Sequence, residues 1–230
     1  MSDLIADQIA YYRARAPEYD ADIVRFGGYG SHEPQGELSQ RDVERNEQFA
    51  RMKQVLRGLG PVHRALELAC GSGNWTAELA GMADELVAVD ASPEMLAFNR
   101  LRVASPKVRY VTSDLFAWQP DRSFDLVMFG FWLTHVPGDR FEAFWNLVRG
   151  CLAPGGSVFF LDNLTDDSAS PELPLGDGIV KRALKDGREF QLVKVYYDVV
   201  ELTQRLQRLG WSANIETCGR NYLYGVCKRT

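Results

Sequence analysis

Three basic side chains in the second half of the chain have the types and positions needed to bind a small anion. His135 lies just after a strongly apolar segment, in the sequence Trp-Leu-Thr-His-Val-Pro. Arg182 falls on the inward face of a helix predicted near residues 178–186, and Lys194 interrupts an apolar row in the strand predicted after it. A buried cation is costly unless an anion lies beside it. These two cations are therefore expected to pair either with an acidic side chain or with an anionic substrate.

A second group of residues, in the first half of the chain, has the composition of a ligand-binding turn. The apolar run 65–69 leads into Gly71 and Gly73, where the missing Cβ lets the backbone turn sharply and lets a ligand approach closely. The amides at the start of the following helix point towards that ligand. Asp90 ends the next apolar run, and a carboxylate at that strand tip can accept both hydroxyls of a ribose. We therefore predict that an adenosine-containing ligand binds here.

The details of this turn disfavour two common nucleotide sites. A dinucleotide fingerprint requires Gly-x-Gly-x-x-Gly, whose third glycine lets the helix pack closely beneath a pyrophosphate, and Thr76 takes that position here. A phosphate-binding loop would need Gly-Lys-Ser or Gly-Lys-Thr after the turn, and the sequence has neither. Glu67 would repel phosphates but suits a ligand that carries an ammonium or sulfonium group. A nicotinamide-dependent dehydrogenase is therefore disfavoured.

The elements that position these residues alternate between strand and helix. The predicted core elements are strands at about 64–69, 85–90, 107–111, 124–130 and 157–162, helices at about 74–82, 93–103 and 139–152, and a turn at 153–156. The predicted closing elements are a strand at about 189–197, a helix at about 199–209 and strands at about 211–217 and 221–228. This alternation predicts an α/β fold with a Rossmann-like, doubly wound parallel sheet.

Two segments outside this core are expected to cover the ligands. Residues 3–16 are predicted to form a helix that Pro17 ends, and a glycine-rich mobile loop at 26–36 precedes a helix from Ser39 to about Leu56. Ligands bind at the carboxyl ends of the strands in open α/β sheets, and the irregular segment after strand five should cover that edge. The single expected domain comprises an N-terminal helical cap and loop (1–60), a cofactor-binding core (61–162), a lid insertion (163–197) and a closing helix with two strands (198–230).

The composition is that of an ordinary globular protein. With 230 residues, 46% of them hydrophobic and 25% charged, the chain can form one α/β domain with a full core. A net charge of −5 argues against a nucleic-acid partner. No apolar run approaches the roughly 20 residues that span a bilayer, and the N-terminus does not resemble a signal peptide. The four cysteines lack Cys-x-x-Cys spacing, which favours free thiols in a cytoplasmic protein, and the three scattered histidines indicate no metal site.

Between Glu67 and Trp75 the chain resembles the class I S-adenosylmethionine-dependent methyltransferases, whose first motif reads Glu/Asp-x-Gly-x-Gly-x-Gly. Ala69 takes the place of the first glycine of that motif. The resemblance implies seven strands with the last one antiparallel, S-adenosylmethionine as cofactor and S-adenosylhomocysteine as product. The expected cofactor-binding residues are Tyr12, Arg13, Glu67, Ala69, Gly71, Gly73, Trp75, Asp90, Ala91, Met95, Asp114, Leu115 and Phe131.

Several of these residues have a plainer alternative role. The resemblance implies that Asp114 accepts a hydrogen bond from the adenine amino group and that the amide of Leu115 meets the ring, whereas a capping role for Asp114 would need no ligand. Arg13 is expected to pair with the methionine carboxylate of the cofactor, unless its helix is simply solvated on that side. Met95 packs either on adenine or in the core. Phe131 is either a wall of the ligand pocket or a core residue.

A narrower resemblance covers nearly the whole chain. The segments Tyr-Tyr-Arg-Ala-Arg-Ala, Trp-Leu-Thr-His-Val-Pro and Leu-Val-Lys-Val are similar to those of the phosphonate O-methyltransferases of dehydrophos biosynthesis. This resemblance implies that His135, Arg182 and Lys194 surround the phosphonate. A tyrosine that contacts phosphonate matches Phe26, or Tyr29 if the glycine loop is reshaped. The predicted substrate-binding residues are Phe26, Tyr29, Trp132, His135, Arg182 and Lys194.

The sequence therefore predicts an S-adenosylmethionine-dependent O-methyltransferase that acts on a small anionic metabolite such as a phosphonate. His135 is the predicted catalytic residue, either as general base for a hydroxyl or as a hydrogen-bond partner that orients an oxygen already ionised. Two alternatives stay open at this stage: an N-methyltransferase for an amino sugar or another amine, and a non-catalytic protein that binds S-adenosylmethionine. The identity of the acceptor and the oligomeric state also stay open.

Overall fold

The computed structural model describes residues 2–25, 40–164 and 173–230. The helices in these ranges are α1 (Ser2–Arg25), α2 (Gln40–Arg57), α3 (Thr76–Met82), α4 (Pro93–Val103), α5 (Phe141–Cys151) and α6 (Val199–Arg208). The strands are β1 (Val62–Leu68), β2 (Ala83–Asp90), β3 (Val108–Thr112), β4 (Phe124–Gly130), β5 (Leu152–Asn163), β6 (Leu173–Gly176), β7 (Ile179–Ala183), β8 (Glu189–Val193), β9 (Trp211–Cys218) and β10 (Tyr222–Arg229). No helix within the described ranges has both the length and the apolar character needed to cross a membrane. The loop predicted at 26–36 lies outside them.

Seven strands form the main sheet in the order β3-β2-β1-β4-β5-β10-β9. The strands β1 to β5 pair in parallel, whereas β10 is antiparallel to both of its neighbours. The predicted Rossmann-like sheet with an antiparallel last strand is confirmed. The chain order reverses where β1 lies between β2 and β4, and ligands bind beside such a point at the carboxyl ends of the strands. The tips of these three strands, at Leu68, Asp90 and Gly130, therefore mark the place for a site.

Both faces of the sheet are buried, because consecutive strand residues point to opposite sides. In β4, Val127 and Phe129 belong to the cluster that contains α5 and α6, whereas Leu126 and Met128 belong to the cluster that contains α2 and α3. A strand covered on both faces needs apolar residues at every position, which explains the continuous apolar run in the sequence. This burial holds the tip of β4, and the residues that follow it, in a fixed position.

A second sheet, in the order β6-β7-β8, replaces the helix predicted at 178–186, so that prediction is wrong. Asp-Gly pairs form the two turns: Asp177 and Gly178 have φ angles of 50° and 71°, and Gly187 has a φ angle of 88°. Positive φ angles at such pairs are typical of tight hairpins. Side chains alternate along β7, and Arg182 is one of those that point inward. The predicted burial of Arg182 is therefore confirmed, although it results from a strand.

The helix α1 continues through Pro17, where the sequence predicts its end. A proline inside a helix removes one backbone hydrogen bond. Packing compensates for this loss, because Tyr11 lies in a buried cluster with residues of β7 and β8, and Ala16 is fully buried. The Asp7 carboxylate also accepts a hydrogen bond of 2.6 Å from the amide of Gln191 in β8. Helix α1 therefore covers the second sheet.

The strand β5 begins at Leu152, before the turn predicted at 153–156. Leu152 pairs with Phe124, and the next pairing of β5 with β4 is that of Ser157 with Leu126. The predicted turn residues therefore bulge between two strand pairs. A Cβ on Gly156 would lie 3.0 Å from the carbonyl oxygen of Phe124, so this bulge depends on glycine. The remaining predicted core elements match the observed ones within two residues at each end, the usual uncertainty of such boundaries.

Candidate active site

The turn between β1 and α3 is built from unusual backbone conformations. Ala69, Gly71 and Gly73 have φ angles of 53°, 52° and 99°. A Cβ on Gly73 would lie 2.7 Å from the side-chain oxygen of Asn99, so the position requires glycine. A Cβ on Gly71 would meet no described atom within 4 Å, which leaves open space beside the turn. The turn therefore presents its backbone to a space that a ligand can fill.

A buried polar network supports this turn from below. The Asn99 side-chain amide donates to the Gly71 carbonyl oxygen over 3.1 Å and to Thr76 Oγ1 over 2.8 Å. Thr76 Oγ1 in turn donates to Glu67 Oε2 over 2.6 Å. Burial raises the pKa of Glu67 to about 8, against the opposing effect of the Thr76 hydrogen bond. Sequence reasoning missed Asn99, because a single amide inside a helix carries no local signal.

Asp90 lies directly across from the glycine turn, at the tip of β2. Its carboxylate accepts hydrogen bonds from the amide of Gly71 over 2.8 Å and from the amide of Ser92 over 2.9 Å. Burial raises the pKa of Asp90, and these amide hydrogen bonds oppose that rise. The Ser92 hydroxyl caps α4 by accepting from the amide of Met95, whose side chain is buried. The structure thus brings Asp90, Ala91 and Met95 to the same sheet edge as Gly71.

Asp114 follows β3 at the next position along the edge. Its carboxylate accepts a 3.0 Å hydrogen bond from the amide of Phe116, the capping contact that the sequence offered as an alternative. The side chain of Leu115 is buried. Arg13 forms an ion pair of 3.0 Å with Glu94 at the start of α4, and both side chains are largely exposed. An exposed pair of this kind contributes little to stability, because solvent screens both charges.

Aromatic rings close the edge beyond β4. Phe131 has a φ angle of 56°, and its ring centroid lies 5.9 Å from that of Phe49. The Trp75 ring also lies 5.9 Å from Phe49. The Trp132 ring packs on Phe116, with 5.8 Å between centroids. All of these rings contact the core, and Phe131 and Trp132 also stand at the sheet edge where β4 ends.

His135 occupies a short 3₁₀ turn after β4 and is only 3% exposed. Its Nδ1 lies 2.7 Å from the carbonyl oxygen of Val193, and its Nε2 lies 2.8 Å from the hydroxyl of Tyr12. A carbonyl oxygen can only accept, so Nδ1 carries the proton. Burial lowers the pKa of His135 well below its ordinary value, and the nearby charges of Lys194, Arg182 and Arg15 lower it further. The imidazole is therefore neutral, with Nε2 as hydrogen-bond acceptor.

Lys194 is 6% exposed and joins a buried polar chain beside His135. Its Nζ donates to Thr134 Oγ1 over 3.1 Å, and Thr134 Oγ1 donates to Asp162 Oδ1 over 2.9 Å. The other oxygen of Asp162 accepts from the Thr134 amide over 3.0 Å. Burial raises the pKa of Asp162, and Lys194 opposes that rise. Sequence reasoning missed Asp162, although its place at the end of a buried strand matches that of Asp90 and was a usable signal.

Arg182 is 4% exposed and completes the cationic side of the site. Its guanidinium lies 5.9 Å from the centroid of the Tyr11 ring. Lys194 contacts Thr134, which precedes His135, and Arg182 lies beside the α1 segment that contacts His135 through Tyr12. Phe26 and Tyr29, the other predicted substrate contacts, lie outside the described residues.

A sheet of this order, with a glycine turn after β1 and acidic residues at the neighbouring strand tips, is that of a class I S-adenosylmethionine-dependent methyltransferase. The family Methyltransf_25, described as "Methyltransferase domain", matches residues 65–156. The solved structures of DhpI, a DhpI–SAH complex and a DhpI–SAM–HEP complex, are 39% identical to this chain. The match to the DhpI–SAH complex covers 100% of this chain and 98% of DhpI, with a TM-score of 0.81. The match to the DhpI–SAM–HEP complex covers 99% of each chain, with a TM-score of 0.80. The chain belongs to the class I methyltransferases, and S-adenosylmethionine is its cofactor.

Curated relatives match over a shorter region. Nodulation protein S of Rhizobium tropici is 35% identical over 105 residues, which are 44% of this chain and 43% of that protein. Demethylmenaquinone methyltransferase of Staphylococcus aureus (strain MRSA252) is 34% identical over 130 residues, or 54% of this chain and 51% of that protein. The matched region thus spans about half the length of these relatives.

Proposed function

We propose that this chain is an O-methyltransferase that transfers the methyl group of S-adenosylmethionine to a small anionic metabolite, with a phosphonate as the leading candidate. The observation that carries the proposal is the burial of Arg182 and Lys194 beside His135 at the ligand-binding edge of the sheet. Two buried cations repel each other, and Asp162 lowers this cost through Thr134. An anionic acceptor supplies the further negative charge.

The bound cofactor supplies an activated methyl group on a cationic sulfur, so the protein has mainly to align the reactants and exclude water. The turn at Gly71 and Gly73, with Asp90 opposite, would hold the methyl donor, S-adenosylmethionine. Arg182 and Lys194 would hold the charge of the methyl acceptor beside His135. Helix α1 and the second sheet would cover both ligands.

The comparisons support this proposal from outside the site. DhpI, a relative that matches 99% of the chain, forms a complex with SAM and HEP. The narrower resemblance of the sequence to phosphonate O-methyltransferases points in the same direction. Both agree with a cationic acceptor site.

The proposal is tested with Arg182→Gln and Lys194→Met, assayed for methyl transfer to 2-hydroxyethylphosphonate, a hydroxycarboxylate and a primary amine. Removing one partner of a buried, charge-assisted contact typically costs about 2–5 kcal/mol. We therefore expect kcat/KM for the anionic acceptors to fall by about 30-fold or more, with unchanged affinity for S-adenosylhomocysteine. Lys181→Met is the matched control, because Lys181 lies on the same hairpin in a surface ion pair with Glu189.

Two results would contradict the proposal. Full activity of both variants on the anionic acceptors would show that the cations do not bind substrate. Wild-type turnover of the amine alone, with both variants active, would favour an N-methyltransferase.

A further inference from the structure

The direction of the hydrogen bond between Tyr12 and His135 is determined by the rest of the site. The Nδ1–H of His135 donates to the carbonyl of Val193, and the neutral ring leaves only a lone pair on Nε2. The Tyr12 hydroxyl must therefore donate its proton to Nε2 over the 2.8 Å that separate them. A tyrosine has one hydroxyl proton, so towards any further group the Tyr12 oxygen can only accept.

The same contact decides which atom a substrate can reach. His135 is almost fully buried, and the Tyr12 hydroxyl occupies its Nε2. Tyr12 itself is half-buried. Its ring is held edge-on against His135, with 5.5 Å between centroids and 82° between planes, and edge-on against Tyr11, with 5.1 Å and 77°. An acceptor in the site would therefore meet the oxygen of Tyr12 before the nitrogen of His135.

We propose that Tyr12 is a catalytic residue that relays a proton from the acceptor to His135. The acceptor O–H bond breaks and its proton goes to the Tyr12 oxygen, while the Tyr12 proton moves to Nε2. The acceptor oxygen bonds to the methyl carbon as the bond between that carbon and the sulfonium sulfur breaks. The products are the methylated acceptor, neutral S-adenosylhomocysteine and an imidazolium, which later returns its proton to solvent. This inference rests on the proposed methyl transfer to oxygen.

The charges around His135 make this relay depend on an anion. Lys194, Arg182 and Arg15 all oppose a positive imidazolium, in addition to burial. An anionic substrate bound between Lys194 and Arg182 offsets their repulsion of the imidazolium. His135 therefore accepts a proton more readily when the substrate is bound. The relay also narrows the substrate class. It requires an anion whose acceptor oxygen still carries a proton, such as a hydroxyl near an anionic group, because an ionised phosphonate oxygen needs no base.

The test compares Tyr12→Phe with Tyr224→Phe, which removes a hydroxyl that donates to Glu216 on β9, away from the site. For methyl transfer to the hydroxyl of 2-hydroxyethylphosphonate, Tyr12→Phe should lower kcat about 100-fold or more, the usual range for general acid–base groups. Its KM and its Kd for S-adenosylhomocysteine should stay within about threefold. Tyr224→Phe should keep kcat within about threefold. In the wild-type enzyme, ¹⁵N spectra should show His135 as the neutral Nδ1–H form at pH 7.

Two results would overturn the relay: an unchanged kcat in Tyr12→Phe, or a loss that appears only as weaker binding of S-adenosylhomocysteine. The latter would place Tyr12 in the cofactor pocket. If the wild-type enzyme methylates only the primary amine, the anionic acceptor of the proposed function fails. Tyr12→Phe is then assayed on that amine, which must also lose a proton, and an unchanged kcat there still overturns the relay.

Discussion

The side chain of Gln8 donates a hydrogen bond to the backbone carbonyl of His135, 127 positions later in the chain, over 3.3 Å. The same side chain accepts from the amide of Val193 over 3.1 Å, and the Val193 carbonyl accepts from the His135 ring. Gln8 is 2% exposed. Helix α1, the His135 turn and β8 therefore share one network, in which each element helps to orient the histidine.

Replacing Gln8 by Leu should lower the free energy of unfolding by about 1–3 kcal/mol, because a buried carbonyl and a buried amide lose their partner. The loss should also lower kcat more than it lowers affinity for S-adenosylhomocysteine, since the contact orients His135. Urea unfolding and steady-state assays measure both effects. Gln191→Leu is the control, because its side chain is exposed on β8, and its effect should be within about 0.5 kcal/mol. Equal stabilities for the two variants would show that the hydrogen bonds of Gln8 do not stabilise the fold.

Asp162→Asn should be among the most destabilising polar substitutions in the core. The change removes the negative charge near Lys194 and turns an acceptor into a group with donor character beside the Thr134 amide. Breaking a buried charge network of this kind costs about 3–5 kcal/mol. Thermal or urea unfolding measures it against Asp121→Asn, which breaks exposed pairs with Arg109 and Arg122 and should cost less than about 1 kcal/mol. Similar losses for both variants would contradict the role of Asp162.

Glu67 should give stability an unusual pH dependence. Its pKa rises from an ordinary 4.5 to about 8 in the folded protein, so the folded state holds a proton that the unfolded state has lost. The contribution of Glu67 to the free energy of unfolding is complete below pH 4.5 and is lost as the pH rises towards 8. Its slope is about 1 kcal/mol per pH unit between these limits. Glu67→Gln should remove that slope in urea titrations from pH 5 to 8, and an unchanged slope would show that Glu67 is ionised when folded.

Ala69 occupies a backbone conformation that disfavours any residue with a Cβ. The left-handed conformation of Ala69 costs a non-glycine residue about 1–2 kcal/mol, and a change to glycine removes this strain. Glycine is also more flexible in the unfolded chain, which offsets about 0.5–1 kcal/mol of the gain. Ala69→Gly should therefore leave the free energy of unfolding unchanged or raise it by about 1 kcal/mol. Ala65→Gly, in the interior of β1, should lower it by about 1 kcal/mol or more. A large loss for Ala69→Gly would show that its methyl contact with the core outweighs the strain.

The core of the fold could be predicted because its signals are local. The apolar runs of β1, β2 and β4 appear as they were expected from the sequence. The segment around Arg182 misled the prediction, because an inward Arg182 is compatible with both helical and strand spacing. The Asp-Gly pairs at 177–178 and 186–187 were the signal that distinguishes the two, since both favour hairpin turns.

The site was predictable only where a residue stands at a strand tip or interrupts an apolar row. Asp90, His135 and Lys194 satisfy that condition. Gln8 and Asn99 do not, because each is a single amide in a helix whose partners come from elements brought near by the fold. The partners of a buried polar group follow from topology, so a sequence can indicate that such a group needs a partner without identifying it.

Tyr12 and Arg13 are consecutive residues, yet they contact opposite sides of the candidate site. Tyr12 contacts His135, whereas Arg13 contacts Glu94, whose carboxylate also accepts from the Ser92 hydroxyl beside Asp90. One rigid helix cannot withdraw from the first contact and keep the second. If α1 covers both ligands as proposed, its displacement should therefore expose the methyl donor and the methyl acceptor to water together, as one common closure in place of two independent ones.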